Sequence, residues 1–174
     1  MLVHGATGGV GHVGLQLAAW NGCTVTTTAS SQKKLDLGAE LGAEHQVNYQ
    51  TEPVDDYVER CTEGRGFDFV FDTVGGENLD HSVAAAGLNG AVATVNPQTG
   101  VDLGPSYSKG LSLHLVSMLI PLLHGVGRAH HGEVLRTAAT LVDDGHLTPL
   151  VDDRRFTFDE IGAAHAYAET KEHI

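Results

Sequence analysis

Leu2-Val3-His4-Gly5-Ala6-Thr7-Gly8-Gly9-Val10-Gly11-His12-Val13-Gly14 is the stretch that decides the fold. A short apolar run stops in a glycine cluster, and apolar residues then recur at 10, 13, 17 and 20 with small Ala and Gly between them. The first part reads as a strand and the second as a helix lying close against a sheet. Glycines at such a strand-to-helix turn suit a dinucleotide's pyrophosphate. Gly8 and Gly9 let the backbone approach without a Cβ in the way, and Gly11 permits close helix–strand packing. The unpaired N–H groups of the helix start face the anion. No Lys-Ser/Thr pair follows the glycines, which excludes a mononucleotide P-loop.

Outward from this turn the alternation continues. Residues 24–28 form a β-branched strand, and Ser31 is placed to cap a helix over 32–41. A third strand is expected at 45–49, and Pro53 suits the first turn of a helix reaching Cys61. Residues 67–74 read as a fourth strand, 79–88 as helix, and 91–95 as a fifth strand ended by Asn96-Pro97. Residues 98–109, rich in Gly, Ser and Pro, read as a loop; 111–118 read as a sixth strand and 133–143 as a helix. Strands separated by helices imply right-handed crossovers and a parallel sheet covered on both faces. The expected fold is α/β, a Rossmann-type doubly wound parallel sheet of about six strands. Residues 1–150 make up this dinucleotide-binding domain. Residues 151–174 add no further βα unit and read as a C-terminal appendage that should pack on something else.

The 174 residues suffice for one domain, with 41% hydrophobic residues. Acids number 22 and bases 10, giving a net charge of −12. The shortage lies in Lys and Arg, so there is no basic face for nucleic acid. No apolar stretch reaches the length of a membrane span; the longest, 111–123, carries His114, Ser117 and Pro121. With no signal-peptide pattern and two unspaced thiols, Cys23 and Cys61, the sequence reads as a cytoplasmic protein. Eleven histidines invite a metal reading, but no HExxH or Cys/His spacing occurs. Zinc is not indicated within this chain, and the histidines read as surface and loop residues. Asp68 and Asp72, on the fourth strand, read as loop caps rather than acid–base catalysts.

The end of the second strand bears on which dinucleotide would bind. An NAD site usually places an acid there to bond the ribose 2′-OH. This chain has Thr28-Ala29-Ser30-Ser31-Gln32-Lys33-Lys34 instead. Hydroxyl and ammonium donors would hold a 2′-phosphate that a carboxylate would repel. Lysines at a helix start also oppose its dipole, so a stabilising role is not their natural reading. NADPH is therefore expected over NADH.

Residues 5–18, GATGGVGHVGLQLA, resemble the nucleotide-binding loop of the medium-chain dehydrogenase/reductase superfamily. The likeness is to its quinone oxidoreductase-like, zinc-type alcohol dehydrogenase-like branch. It continues through Thr28-Ala29-Ser30-Ser31, Leu41-Gly42-Ala43-Glu44, Val47-Asn48-Tyr49, Gly66-Phe67-Asp68 and Asp72-Thr73-Val74-Gly75-Gly76 to Phe156-x-Phe158-x-Glu160-Ile161. This resemblance implies a Rossmann cofactor domain and NADPH-dependent reduction of quinones, enones or related activated carbonyl compounds. It places Ala6, Gly8, Gly9, Val10 and Gly11 at the pyrophosphate. Ser30, Lys34 and Tyr49 fall at the 2′-phosphate end, and Thr73, Val74 and Asn96 at the nicotinamide ribose. Members of the superfamily carry a substrate domain before this point and return to it at the end. The chain, which begins inside a strand, thus reads as the cofactor half of an enzyme, inactive alone. Its small-molecule substrate, any catalytic zinc and the catalytic residues belong to the missing part.

Two other functions fit parts of the sequence. Tyr167 and Lys171 have the YxxxK spacing of short-chain dehydrogenases, though Arg154 and Arg155 stand where that family needs a serine. A non-catalytic NADPH-binding sensor would need only the glycine loop. Finally, a sixth strand over 112–118 would be a sheet edge, and an apolar edge is a liability unless paired. A homodimer joined edge to edge about a two-fold axis is expected.

Overall fold

The computed structural model describes residues 1–96 and 102–170. Six parallel strands form one sheet: β1 (Leu2–His4), β2 (Thr26–Ala29), β3 (His45–Asn48), β4 (Phe67–Asp72), β5 (Ala86–Thr94) and β6 (Ser112–Leu115). Their order is β3-β2-β1-β4-β5-β6. The chain steps outward from β1 to β3, then returns to place β4 on the other side of β1. That reversal opens a crevice beyond the carboxyl ends of β1 and β4. The first connections carry helices α1 (Gly11–Trp20), α2 (Gln32–Glu40), α3 (Val54–Thr62) and α4 (Asn78–Ala85).

Leu2 and Val3 are neighbours that point to opposite faces, and both are fully buried. Leu2 joins Val47, Tyr57, Phe67, Val70, Leu79 and Val92 in one core cluster. Val3 joins Ala6, Leu15, Ala18, Val25 and Ala43 in the other. Helices on both faces explain why β1 lacks an apolar–polar alternation. Close approach of α1 depends on small residues: a Cβ at Gly14 would lie 2.5 Å from the ring of Phe71 on β4. In the first cluster, burial pushes the Tyr57 phenol up to about 12, aided by the nearby Glu52, Asp55 and Cys61.

Several element boundaries depart from the sequence reading. Ser31 occupies the N-cap position of α2, but its side chain makes no cap hydrogen bond. Pro53 sits one residue ahead of α3 instead of inside it. Helix α4 stops at Ala85 and β5 starts at Ala86, so 86–88 are strand, not helix. Part of the expected loop, over 104–108, is the short helix α5 (Gly104–Ser108); residues 98–101 lie outside the described residues. After it, Lys109 Nζ donates to the carbonyls of Val83, Ala84 and Ala86, closing the end of α4 with a cation as the helix dipole favours. Strand β6 ends at Leu115, not 118, and Met118 precedes α6 (Leu119–Leu123). Helix α7 (Arg128–Asp143) begins ahead of the expected residue 133.

Beyond α7, Leu147 alone is buried among the described residues. Between residues 151 and 170, where α8 (Ile161–Glu169) lies, none is. This stretch holds itself together. Phe156 and Arg154 pack on the Tyr167 ring, and the Tyr167 hydroxyl donates to Asp152 Oδ2 at 3.0 Å. Thr157 donates from its backbone and side chain to Glu160 Oε2, which keeps that carboxyl below the usual carboxylate range. Both cysteines are free, and no helix among the described residues is long and apolar enough to cross a membrane.

Candidate dinucleotide site

Strand β1 runs into Gly5, whose φ of 71° lies in the left-handed region that glycine enters without strain. The chain then doubles back, with Gly8 N donating to Gly5 O at 2.9 Å. A Cβ at Gly11 would stand 2.1 Å from Gly5 O, so α1 can start here only with glycine. A Cβ at Gly9, by contrast, would meet nothing within 4 Å. The first turn of α1 contains no acid, and no side chain caps it. The positive end of the helix is therefore not neutralised from within.

Next to this turn lies a crevice of about 460 Å³, within the size range of ligand sites. Its walls are Gly5, Thr7 and Gly8 from the glycine turn, Thr28, Ala29, Ser30 and Lys34 from the end of β2 and the start of α2, and Tyr49 after β3. Thr73, Val74, Glu77, Asn78 and His81 close it from β4 and α4. Of the residues expected from the sequence, Gly8, Ser30, Lys34, Tyr49, Thr73 and Val74 come together here. Gly9 and Val10 are exposed on the turn outside this wall. Ala6 is fully buried in a core cluster, and Gly11 acts through packing on Gly5. Asn96 stands behind the wall: its Nδ2 donates to Val74 O at 3.2 Å, pinning the loop after β4. Sequence reasoning missed Glu77, Asn78 and His81. Their signal was available in the helical spacing of 77 and 81, next to the core-facing Leu79 and Val83.

A buried polar row crosses the strand ends beside the crevice, with Thr28 the member of it that lines the wall. Register places Thr28, His4, Asp72 and Thr94 side by side across β2, β1, β4 and β5, each at most 3% exposed. His4 Nδ1 lies 3.0 Å from Thr28 Oγ1. Burial drives the imidazole down to about 4; the Asp72 charge opposes that shift, and His81 adds to it. His4 is thus a neutral side chain near neutral pH. Asp72 Oδ1 accepts from Val74 N, Gly75 N and Asn78 Nδ2 at 2.9–3.0 Å, so it caps the loop and start of α4. Asp68 is exposed at the other end of β4 and makes no such cap. Thr73 Oγ1 donates to His4 O at 2.6 Å, tying the β4 loop to the end of β1. The histidines are not all superficial, since His4 and His12 are both buried.

Residues 9–119 match the zinc-binding dehydrogenase family over more than half of the chain. The chain belongs to this family. Among its described residues no group of three His, Cys, Asp or Glu could hold a metal ion, so the zinc of the family name finds no ligand set here. This dehydrogenase-family chain is 34% identical over 101 residues to the 2-haloacrylate reductase of a Burkholderia species, covering 58% of this chain and 30% of that protein. Among solved structures, it is 38% identical, with a TM-score of 0.91, to an alcohol dehydrogenase superfamily protein from Novosphingobium aromaticivorans. That match covers 97% of this chain and 50% of the other. It is 25% identical, with a TM-score of 0.74, to the Escherichia coli quinone oxidoreductase solved in complex with NADPH, covering 86% and 47%. The chain thus spans half or less of each of these proteins. The medium-chain resemblance and the Rossmann fold expected from the sequence both hold.

Tyr167 does not reach this crevice. It lines a separate groove with Asp152, Arg154 and Phe156, while Lys171 lies outside the described residues. The short-chain arrangement, which needs that tyrosine beside the nicotinamide, therefore gains no support from the geometry.

Proposed function

We propose that this chain is the NADPH-binding half of a medium-chain reductase that passes hydride to a quinone, enone or related activated carbonyl compound. The observation carrying the proposal is the composition of the crevice at the end of β2. Ser30 and Lys34 line it where an NAD site would present a carboxylate. An ammonium and a hydroxyl favour a 2′-phosphate by charge-assisted hydrogen bonds, and Tyr49 adds a phenol to the same wall. The pyrophosphate would lie on Gly8 and Gly9, against the uncapped start of α1. NADPH, when bound, supplies the hydride; the residues of this chain bind and orient it. The solved complex of the E. coli quinone oxidoreductase with NADPH supports the choice of cofactor. Thr73 and Val74, at the end of β4, would border the nicotinamide ribose, with Asn96 fixing the Val74 carbonyl behind them.

Substrate contacts and proton donation would come from the half of the enzyme that the longer relatives possess. The chain alone would bind cofactor without turnover, in the cytoplasm. The edge strand β6 and the exposed Leu115, Val116, Met118 and Leu119 beside it would be covered by the same segment of a second copy.

Titration of the chain with NADPH and NADH, followed by nicotinamide fluorescence, tests the cofactor proposal. NADPH should bind at least about tenfold tighter, and Lys34→Ala should remove most of the difference, consistent with a charge-assisted contact of about 1.5–3 kcal/mol. Equal affinities for the two cofactors would overturn it.

A further inference from the structure

Gln16, on the buried face of α1, uses its amide in three directions. Its Nε2 donates to His12 O at 2.9 Å and to Thr148 O at 3.0 Å, and its Oε1 accepts from Thr148 N at 2.7 Å. One side chain therefore pairs both backbone polar groups of Thr148, as a neighbouring strand would. One turn earlier, the buried His12 reaches back, with Nδ1 2.9 Å from Gly8 O. A carbonyl only accepts, so Nδ1 carries the proton and donates. The result is a hydrogen-bonded path from Gly8 in the glycine turn, through His12 and Gln16, to Thr148. Leu147, just before Thr148, is the last buried residue among those described, and the exposed 151–170 stretch follows.

A leucine or methionine would fill the position of Gln16 without the cost of burying an amide. That cost is offset because both polar ends of the amide find partners, and two of the three bonds lead to Thr148. We infer that Gln16 is a positioning residue that registers the 147–150 segment, and the 151–170 stretch after it, on the helix whose first turn faces the cofactor pyrophosphate. Ordering of Gly8 by bound cofactor is passed along the same path and steadies Thr148, which lines no part of the crevice. This second element rests on the NADPH proposal above.

Hydrogen exchange on the full chain, with and without NADPH, tests both elements. Without cofactor, Gln16→Leu should lower protection of the Thr148 amide by about tenfold, the effect of one lost, partly buried hydrogen bond. With saturating NADPH, the wild-type Thr148 amide should gain about threefold protection, and Gln16→Leu should lose that gain. By reciprocity its NADPH dissociation constant should then weaken by no more than about threefold. A residue that merely fills space would alter the first quantity and leave the cofactor-dependent gain in place. Should Gln16→Leu fail to fold, Thr148→Pro removes the donor from the other end. In wild type the adjoining Leu147 amide, bonded to Leu141 O, should share the gain, and Thr148→Pro should abolish it there while amides 15–19 of α1 stay protected. Unchanged Thr148 protection in Gln16→Leu, or a cofactor-dependent gain that survives it, overturns the inference. A wild-type chain that binds no NADPH overturns the cofactor proposal and the transmission along the path. The comparison without cofactor still decides the registration.

Discussion

His4 makes the stability of this domain depend on pH in a calculable way. The imidazole is 3% exposed, held neutral by burial at a pKa of about 4, against about 6.5 in an unfolded chain. Between these values the unfolded state binds a proton that the folded state refuses. Stability therefore rises with pH across this window and falls as the solution is acidified from about 6.5 towards 4. For this one group the loss is about 2 kcal/mol between pH 7 and pH 5, approaching about 3 kcal/mol at pH 4 and below. The Asp72 charge, on the neighbouring strand, pulls the other way but does not outweigh the burial. Urea unfolding at pH 7, 6 and 5, on wild type and His4→Gln, isolates the effect. His4→Gln starts from a lower stability because its contact with Thr28 Oγ1 is disturbed. Its decline between pH 7 and 5 should nonetheless be shallower than that of wild type by about 2 kcal/mol. Equal declines in the two proteins would refute the buried, neutral His4.

The glycine turn separates stability from binding. Gly11→Ala places a Cβ against the Gly5 carbonyl and should cost about 3 kcal/mol, read as a lower urea midpoint. Gly9→Ala meets open space and should leave that midpoint within about 0.5 kcal/mol, yet weaken NADPH binding by about tenfold. Leu115→Glu, on the exposed edge strand, should give monomers in analytical ultracentrifugation, and dimers that survive it would remove β6 as the interface. Raising ionic strength from 10 to 150 mM shortens the screening length from about 30 to about 8 Å. For a chain of charge −12 this should speed NADPH association in stopped flow, with a slowing instead if local attraction dominates.

Strand and helix identity was legible wherever glycine and β-branched residues set the local choice, as at 2–14 and 26–29. Boundaries escaped where partners decide them. The Ala-rich run through 84–86 suits helix and strand alike. It stays helix through Ala85 and turns to strand at Ala86 because β5 pairs with β4, and Gly87 admits Arg65 O at a distance no Cβ would tolerate. The run 112–118 has strand propensity throughout, but its neighbour β5 ends at Thr94. Pairing therefore stops after Leu115, with Val116 N donating to Thr94 O as the last bond. The crevice shows the same division. Gly8, Ser30 and Lys34 follow from local motifs, while Glu77, Asn78 and His81 depend on how Leu79 and Val83 rotate α4 onto the sheet.

A chain with 22 acids and 10 bases is an unexpected host for a dinucleotide that carries several negative charges. The resolution lies in where the acids are. Asp72, fully buried at the end of β4, lines no part of the crevice, and its Oδ1 takes three donors from the loop and the start of α4. His4 beside it is neutral, which lets the strand ends pack without a second buried ion. Glu77 is the one acid among the lining residues described, and Lys34 stands in the same lining. The first turn of α1 contributes positive potential without any acidic side chain to cancel it. Net charge sets the long-range field, which physiological salt screens beyond about 8 Å. Within that distance the field is set by Lys34 and the helix start against Glu77, and an anion can be held there whatever the sign of the whole.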